Sequence, residues 1–193
     1  AEDWPTAQRI PNPTVSDTTE NSLDKYDRFQ WVQLEGSTLG SYNWSTFDTI
    51  INTAIDNGQK FSFGIMSHDS GGGQVSYGGG TSAYPLYLHT LMQAEAVNSQ
   101  DWLSSGVWAP NWNSPNYLAR FRALTVALNA HILATSHSGV SYKDAIYCID
   151  IRGYGNWGEW HIGSMDTPPT GRAITIATGK ELAVQNNLAT AWP

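Results

Sequence analysis

Between residues 29 and 66 a strand signal, a helix signal and a second strand signal follow one another with little between them, and this confines the chain to an α/β fold. FQWVQL (29–34) is a short aromatic and β-branched run that reads as a strand. After a turn holding Gly36 and Gly40, the residues Phe47, Ile50, Ile51, Ala54 and Ile55 fall at helical spacing, and Gly58 supplies the stop. KFSFGIM (60–66) then reads as a second strand. Strands joined through a helix run parallel, with the helix packed outside the sheet.

The rest of the chain continues the pattern. Residues 67–83 form a glycine-rich loop, too long and polar for a simple connector. YPLYLHTLMQAEAV follows as a helix, and SGVWAPNWNSPNYL contains a short third strand. Ser114 and Pro115 fit the N-cap and first position of a helix running to about Thr135, with Leu118, Phe121, Leu124, Thr125 and Leu128 on its buried face. AIYCIDI (145–151), with Cys148 inside it, is the clearest strand and reads as buried. A last helix spans about Thr170 to Leu188. Residues 1–25, with Pro5, Pro11 and Pro13, read as an irregular arm, and 26–193 as one domain. The expected fold class is therefore α/β, with parallel (β/α) units and about four strands. A closed (β/α)8 barrel takes eight units in about 250 residues, so 193 residues fit half of such a TIM barrel or a small open α/β domain.

Composition narrows the partner. Seventeen acidic and ten basic side chains give a formal charge of −7, which argues against nucleic acid or an anionic membrane surface. No apolar run approaches the roughly 20 residues that span a bilayer. Charged residues are only 14% of the chain, while Trp contributes nine, so polarity comes from Asn, Ser, Thr and Gln. A neutral hydroxylated partner, an oligo- or polysaccharide, complements such a surface. Low Lys with abundant Asn, Ser and Trp fits an extracytoplasmic location, although AEDWP carries no signal-peptide pattern.

The feature richest in chemistry is YGNWGEWH (154–161), just past the last strand, at the end of a parallel sheet where active sites are built. Glu159 lies between Gly158 and Trp160. A carboxyl walled by indoles is poorly solvated, and such a group suits a general acid; a structural hydrogen bond in the loop is the alternative. His68 and Asp69 follow the second strand at the same mouth, as sugar-hydroxyl ligands or loop anchors. Arg28, Asp150 and Arg152 read as a structural ion-pair network or the floor of a site. Trp108, Trp112, Trp157 and Trp160 would either stack on pyranose faces or pack in the core and loops. His161 would bind a hydroxyl or orient Glu159.

Other chemistries find no support. The five His residues lack metal-site spacing, so no metal or cofactor is expected. GSTLG puts Thr38 where a nucleophile elbow needs serine. The runs Gly71–Gly73 and Gly78–Gly80 lack a phosphate loop's Gly-Lys ending and look like hinges.

Over about residues 26–190 the order of features resembles the N-terminal half of the clan A glycoside hydrolases, (β/α)8 barrels with a catalytic acid after strand four. VQLEGSTLGSYNWSTFD, the Gly-Gln-Lys before the second strand and NSPNYLARF are similar to segments of the barrel β-galactosidases. The GNWGEWH loop resembles still more closely that of uncharacterised barrel proteins of glycoside-hydrolase type. The resemblance implies that Glu159 is the acid/base in hydrolysis of a neutral glycoside. The clan's adjacent Asn-Glu pair is absent: the nearest Asn, Asn156, lies three residues earlier and is expected among the sugar-binding residues. The clan's nucleophile comes from strand seven, outside this chain, and a retaining mechanism needs two carboxyls about 5–5.5 Å apart. A carbohydrate-binding protein of the same fold without catalysis is the alternative. Half a barrel leaves open sheet edges, so pairing with a C-terminal half or self-association is expected.

Overall fold

The computed structural model describes residues 24–162, 169–171, 183, 184 and 187. The expected arm and most of the last expected helix lie outside them.

The first strand, β1 (Lys25–Gln30), stops earlier than the apolar run does, because Trp31–Leu34 coil into a helical turn, α1. Gln30 and Gln33 cap that turn reciprocally, side chain to backbone, and the Trp31 indole donates to buried Glu35 at 2.7 Å. Aromatic content alone does not separate a strand from such a turn. Helix α2 (Ser45–Asp56) and strand β2 (Phe61–Met66) lie where the spacing predicts. The glycine-rich segment is not a loop throughout. It folds into a hairpin of β3 (Val75–Tyr77) and β4 (Gly80–Ser82). At Gly73 a Cβ would overlap the Ser82 carbonyl carbon, so this glycine serves close packing and is not a hinge.

Helix α3 (Leu86–Gln93) leads to β5 (Trp102–Ser104) and β6 (Val107–Ala109). The expected third strand is β6, but it belongs to a separate four-stranded sheet ordered β3-β4-β6-β5. Asp101, fully buried, pins that sheet to α3. It accepts from Tyr84 Oη at 2.5 Å, from His89 Nδ1 at 2.8 Å and from Gln93 Nε2. Helix α4 (Pro115–Ala134) starts as expected, with the Ser114 hydroxyl accepting from the Tyr117 amide. A small hairpin of β7 (Ser136–His137) and β8 (Val140–Ser141), then the turn α5 (Tyr142–Ala145), deliver β9 (Ile146–Asp150).

The main sheet is parallel, ordered β1-β2-β9. Among the described residues it has three strands, not four, and does not close into a barrel. β2 is buried from end to end, as a central parallel strand must be. Among the described residues β9 is an edge, paired only with β2, and that corrects the expectation of a buried strand: Tyr147 is 62% exposed and Cys148 is also exposed. Periodicity reports how apolar a strand is, whereas burial depends on what lies beside it.

One face of the sheet packs on helices. Phe47 and Ala54 of α2, with Ile51, meet Phe29, Phe61 and Phe63. The Phe47 ring lies 5.1 Å from Phe63 and 5.4 Å from Phe29. Tyr117, Phe121, Leu124 and Leu128 of α4 are buried in the same core, and Trp31 meets Phe121 at 5.4 Å. Because Phe47 is fully buried and packs on rings of both β1 and β2, Phe47→Ala is expected to cost about 3–5 kcal/mol, read from urea unfolding. A loss below about 1 kcal/mol would show that this ring does not hold sheet and helix together.

Candidate functional site

The pairing register puts Arg28, Gly64 and Asp150 side by side across β1, β2 and β9. Two residues past Asp150, at the carboxyl end of the sheet, Arg152 turns back over Gly64. A Cβ on that glycine would sit 2.5 Å from Arg152 Cδ, so the missing side chain leaves the slot in which the guanidinium lies. Arg152 is nearly buried, with 9% of its side chain exposed. Its Nε donates to Asp150 Oδ2 at 2.5 Å and to Tyr26 Oη at 2.9 Å. Its Nη1 donates to the Trp157 carbonyl at 2.7 Å and to Glu159 Oε1 at 3.3 Å. Tyr26 Oη in turn donates to Asp150 at 2.6 Å. Burial, then that bond to Asp150, pushes the tyrosine hydroxyl up to about 12.

Glu159 stands at the centre of this group. Its Oε1 also meets Arg28 Nη1 at 2.9 Å, and its Oε2 is 3.8 Å from His161 Nε2. The side chains of Glu159 and Arg28 are 35% and 37% exposed, and that of His161 is 45% exposed. This corrects the expected surroundings of Glu159: guanidinium groups flank the carboxylate, and the indoles make their hydrogen bonds elsewhere. Trp157 Nε1 donates to Asp69 at 2.9 Å and Trp160 Nε1 to the Ile151 carbonyl at 2.7 Å.

The loop around Glu159 is held from several sides. Trp157 and Trp160 adopt φ of 52° and 61°, a left-handed conformation that costs a bulky residue about 1–3 kcal/mol unless its surroundings impose it. The Trp157 amide donates to the His68 carbonyl at 3.0 Å, and the Asn156 amide to the His161 carbonyl at 2.8 Å. Asn156 is fully buried; its side chain accepts from the Ser70 amide and donates to the Ser70 hydroxyl. Asp69 also accepts from Gln30 and from the Gly71 amide.

The expected site residues therefore divide. Glu159, Arg28 and His161 come together as accessible polar groups, with Trp157 and Trp160 beside them. Asp69 and Asn156 anchor the loop. His68 is buried, its Nδ1 donating to the Trp108 carbonyl at 3.2 Å. Trp108 lies in the second sheet, donating to the Tyr77 carbonyl and packed 4.4 Å from the His89 ring. Trp112 is buried against Tyr154 and donates to the Gly153 carbonyl. Tyr26 and Gln30 were not singled out by the sequence reading. The two-residue alternation Tyr26, Arg28, Gln30, opposite buried Phe29, was the available signal.

Among the described residues no three His, Cys, Asp or Glu side chains are grouped to hold a metal ion. An open groove of about 420 Å³ runs along the β3–β4 hairpin, lined by Tyr77, Gly78 and Thr81 among others. It presents no carboxylate, imidazole or cation among its lining residues, whereas the sheet end does. At that end a carboxylate, a guanidinium and an imidazole offer matched acceptors and donors for a hydroxylated ligand. No family model matches the chain, and no curated protein matches it.

His68 gives this region a pH signature. Burial outweighs the Trp108 hydrogen bond and holds the imidazole below its ordinary 6.5. As pH falls below that value the unfolded chain takes up the proton first, so stability is expected to drop on acidification. Urea unfolding of the parent and of His68→Asn at pH 7.5 and 5 checks this, with a smaller pH effect expected in the variant. A His68 Cε1–H resonance titrating above 6.5 would contradict it.

Proposed function

We propose that the chain is part of a (β/α)8 barrel of the glycoside hydrolase kind, acting outside the cytoplasm, whose Glu159 site takes a neutral oligo- or polysaccharide. The observation that supports this is the half-exposed Glu159 carboxylate, held at the carboxyl end of a parallel sheet by the guanidiniums of Arg28 on β1 and of Arg152 just past β9. Oε1 is occupied by both arginines, so Oε2, with His161 nearby, is the oxygen left for a ligand. In hydrolysis Oε2 carries the proton to the leaving glycosidic oxygen and later takes one from the attacking water. Trp157, Trp160 and His161 border the bound sugar. The second carboxylate of a retaining reaction comes from polypeptide beyond the described residues. The open β9 edge accepts the strand that follows in the barrel, or a second copy of the chain.

A second reading, carbohydrate binding without hydrolysis, draws on Asp150. This neighbouring carboxylate is engaged by Tyr26 and Arg152 and is not free to act as nucleophile.

A screen of aryl glycosides with the parent and Glu159→Gln separates the two. Hydrolysis by the parent that falls by about 10²-fold or more in the variant is expected. Equal turnover in both would overturn the assignment of Glu159. Sugar affinity without turnover in either would favour the binding protein.

A further inference from the structure

We propose that Arg152 is the positioning residue of the site, fixing both the strained 157–160 turn and the Glu159 carboxylate against the end of the sheet. This rests on reading the Glu159 site as a carbohydrate site, but the geometry that carries it stands apart from any activity. A nearly buried guanidinium is tolerable only when its N–H groups are paired. Here it joins three parts of the molecule: Tyr26 on β1, Asp150 at the end of β9, and the 157–160 turn, through the carbonyl of left-handed Trp157 and Glu159 Oε1.

The space for it is built in twice. Besides Gly64, a Cβ at Gly158 would come within 2.6 Å of Arg152 Cβ, so strand and loop are both cut away around one side chain. Gly158 has φ of 70°, which a larger residue would also resist. Tyr26 completes the mount. Its hydroxyl bonds Asp150 and Arg152, and the Cζ atoms of Arg28 and Arg152 each lie 5.9 Å from its ring centroid. One tyrosine thereby sets the position of both guanidiniums that meet Glu159. Lysine could not replace Arg152, because a single ammonium lacks the fork that reaches Asp150 and Glu159 together.

The test uses two variants that leave Glu159 and its loop unaltered. Tyr26→Phe removes the anchoring hydroxyl and keeps the ring. Gly64→Ala fills the slot. In ¹H–¹⁵N spectra, the indole N–H peaks of Trp157 and Trp160 are expected to shift in both variants, while those of Trp31 and Trp108 stay in place. On a glycoside that the parent hydrolyses, kcat is expected to fall by about 10- to 100-fold, with KM within about twofold, the pattern of misplacement and not of lost binding. Unmoved Trp157 and Trp160 peaks in Tyr26→Phe would overturn the proposal, whether or not the parent has activity. So would an unchanged kcat in both variants of an active parent. Shifted peaks in a parent without turnover would support Arg152 as the positioning residue and count against the glycosidase reading alone.

Discussion

The carboxyl end of the sheet depends on one buried cation. Removing the Arg152 guanidinium from water carries a penalty of several kcal/mol before pairing is counted, and its neighbours answer that penalty. Asp150 supplies the counter-charge, Tyr26 a hydroxyl, Trp157 a carbonyl and Glu159 a carboxylate. Tyr26 lies on β1, Asp150 on β9, and Trp157 and Glu159 in the loop that follows. The requirement that one guanidinium be satisfied is therefore also the requirement that β1, β9 and the following loop keep a fixed geometry.

Strain and spacing follow from the same point. The loop 153–161 contains two tryptophans in left-handed conformation, and such residues persist only where the surroundings over-determine them. The Trp157 backbone is fixed by Arg152 and by the His68 carbonyl, its indole by Asp69, and the Trp160 indole by the Ile151 carbonyl. Arg28 reaches Glu159 from β1 because parallel pairing brings it level with Gly64 and Asp150. The aromatic core beneath, Phe29 with Phe47 and Phe63, holds β1 and β2 to α2. The accessible side chains thus stand on a rigid base, as a site that orients a ligand requires.

How much of this was legible in the sequence depends on how local the determining interaction is. Helix α2, the Ser114 cap and β2 follow from spacing and capping within a few residues, and they lie where expected. The prominence of Glu159 came from its neighbours in a short loop, and the Asp150–Arg152 pairing from two opposite charges two residues apart. What the sequence hid was set by distant partners. The turn at Trp31–Leu34 depends on capping that an aromatic run does not advertise. The β3–β4 hairpin is too short and glycine-rich to show alternation. Trp108 belongs to a second sheet whose pairing no local pattern reveals, and Cys148 is exposed because nothing among the described residues pairs with the outer edge of β9.

The most direct test of whether the Arg28–Arg152–Glu159 cluster is a ligand site is a ¹H–¹⁵N titration of the labelled protein with neutral disaccharides. The predicted result is saturating shifts at the backbone amides of Gly158, Glu159, Trp160 and His161 and at the side chain of Arg28. Shifts confined to the Gly78–Gly80 hairpin, or none with any sugar, would contradict it.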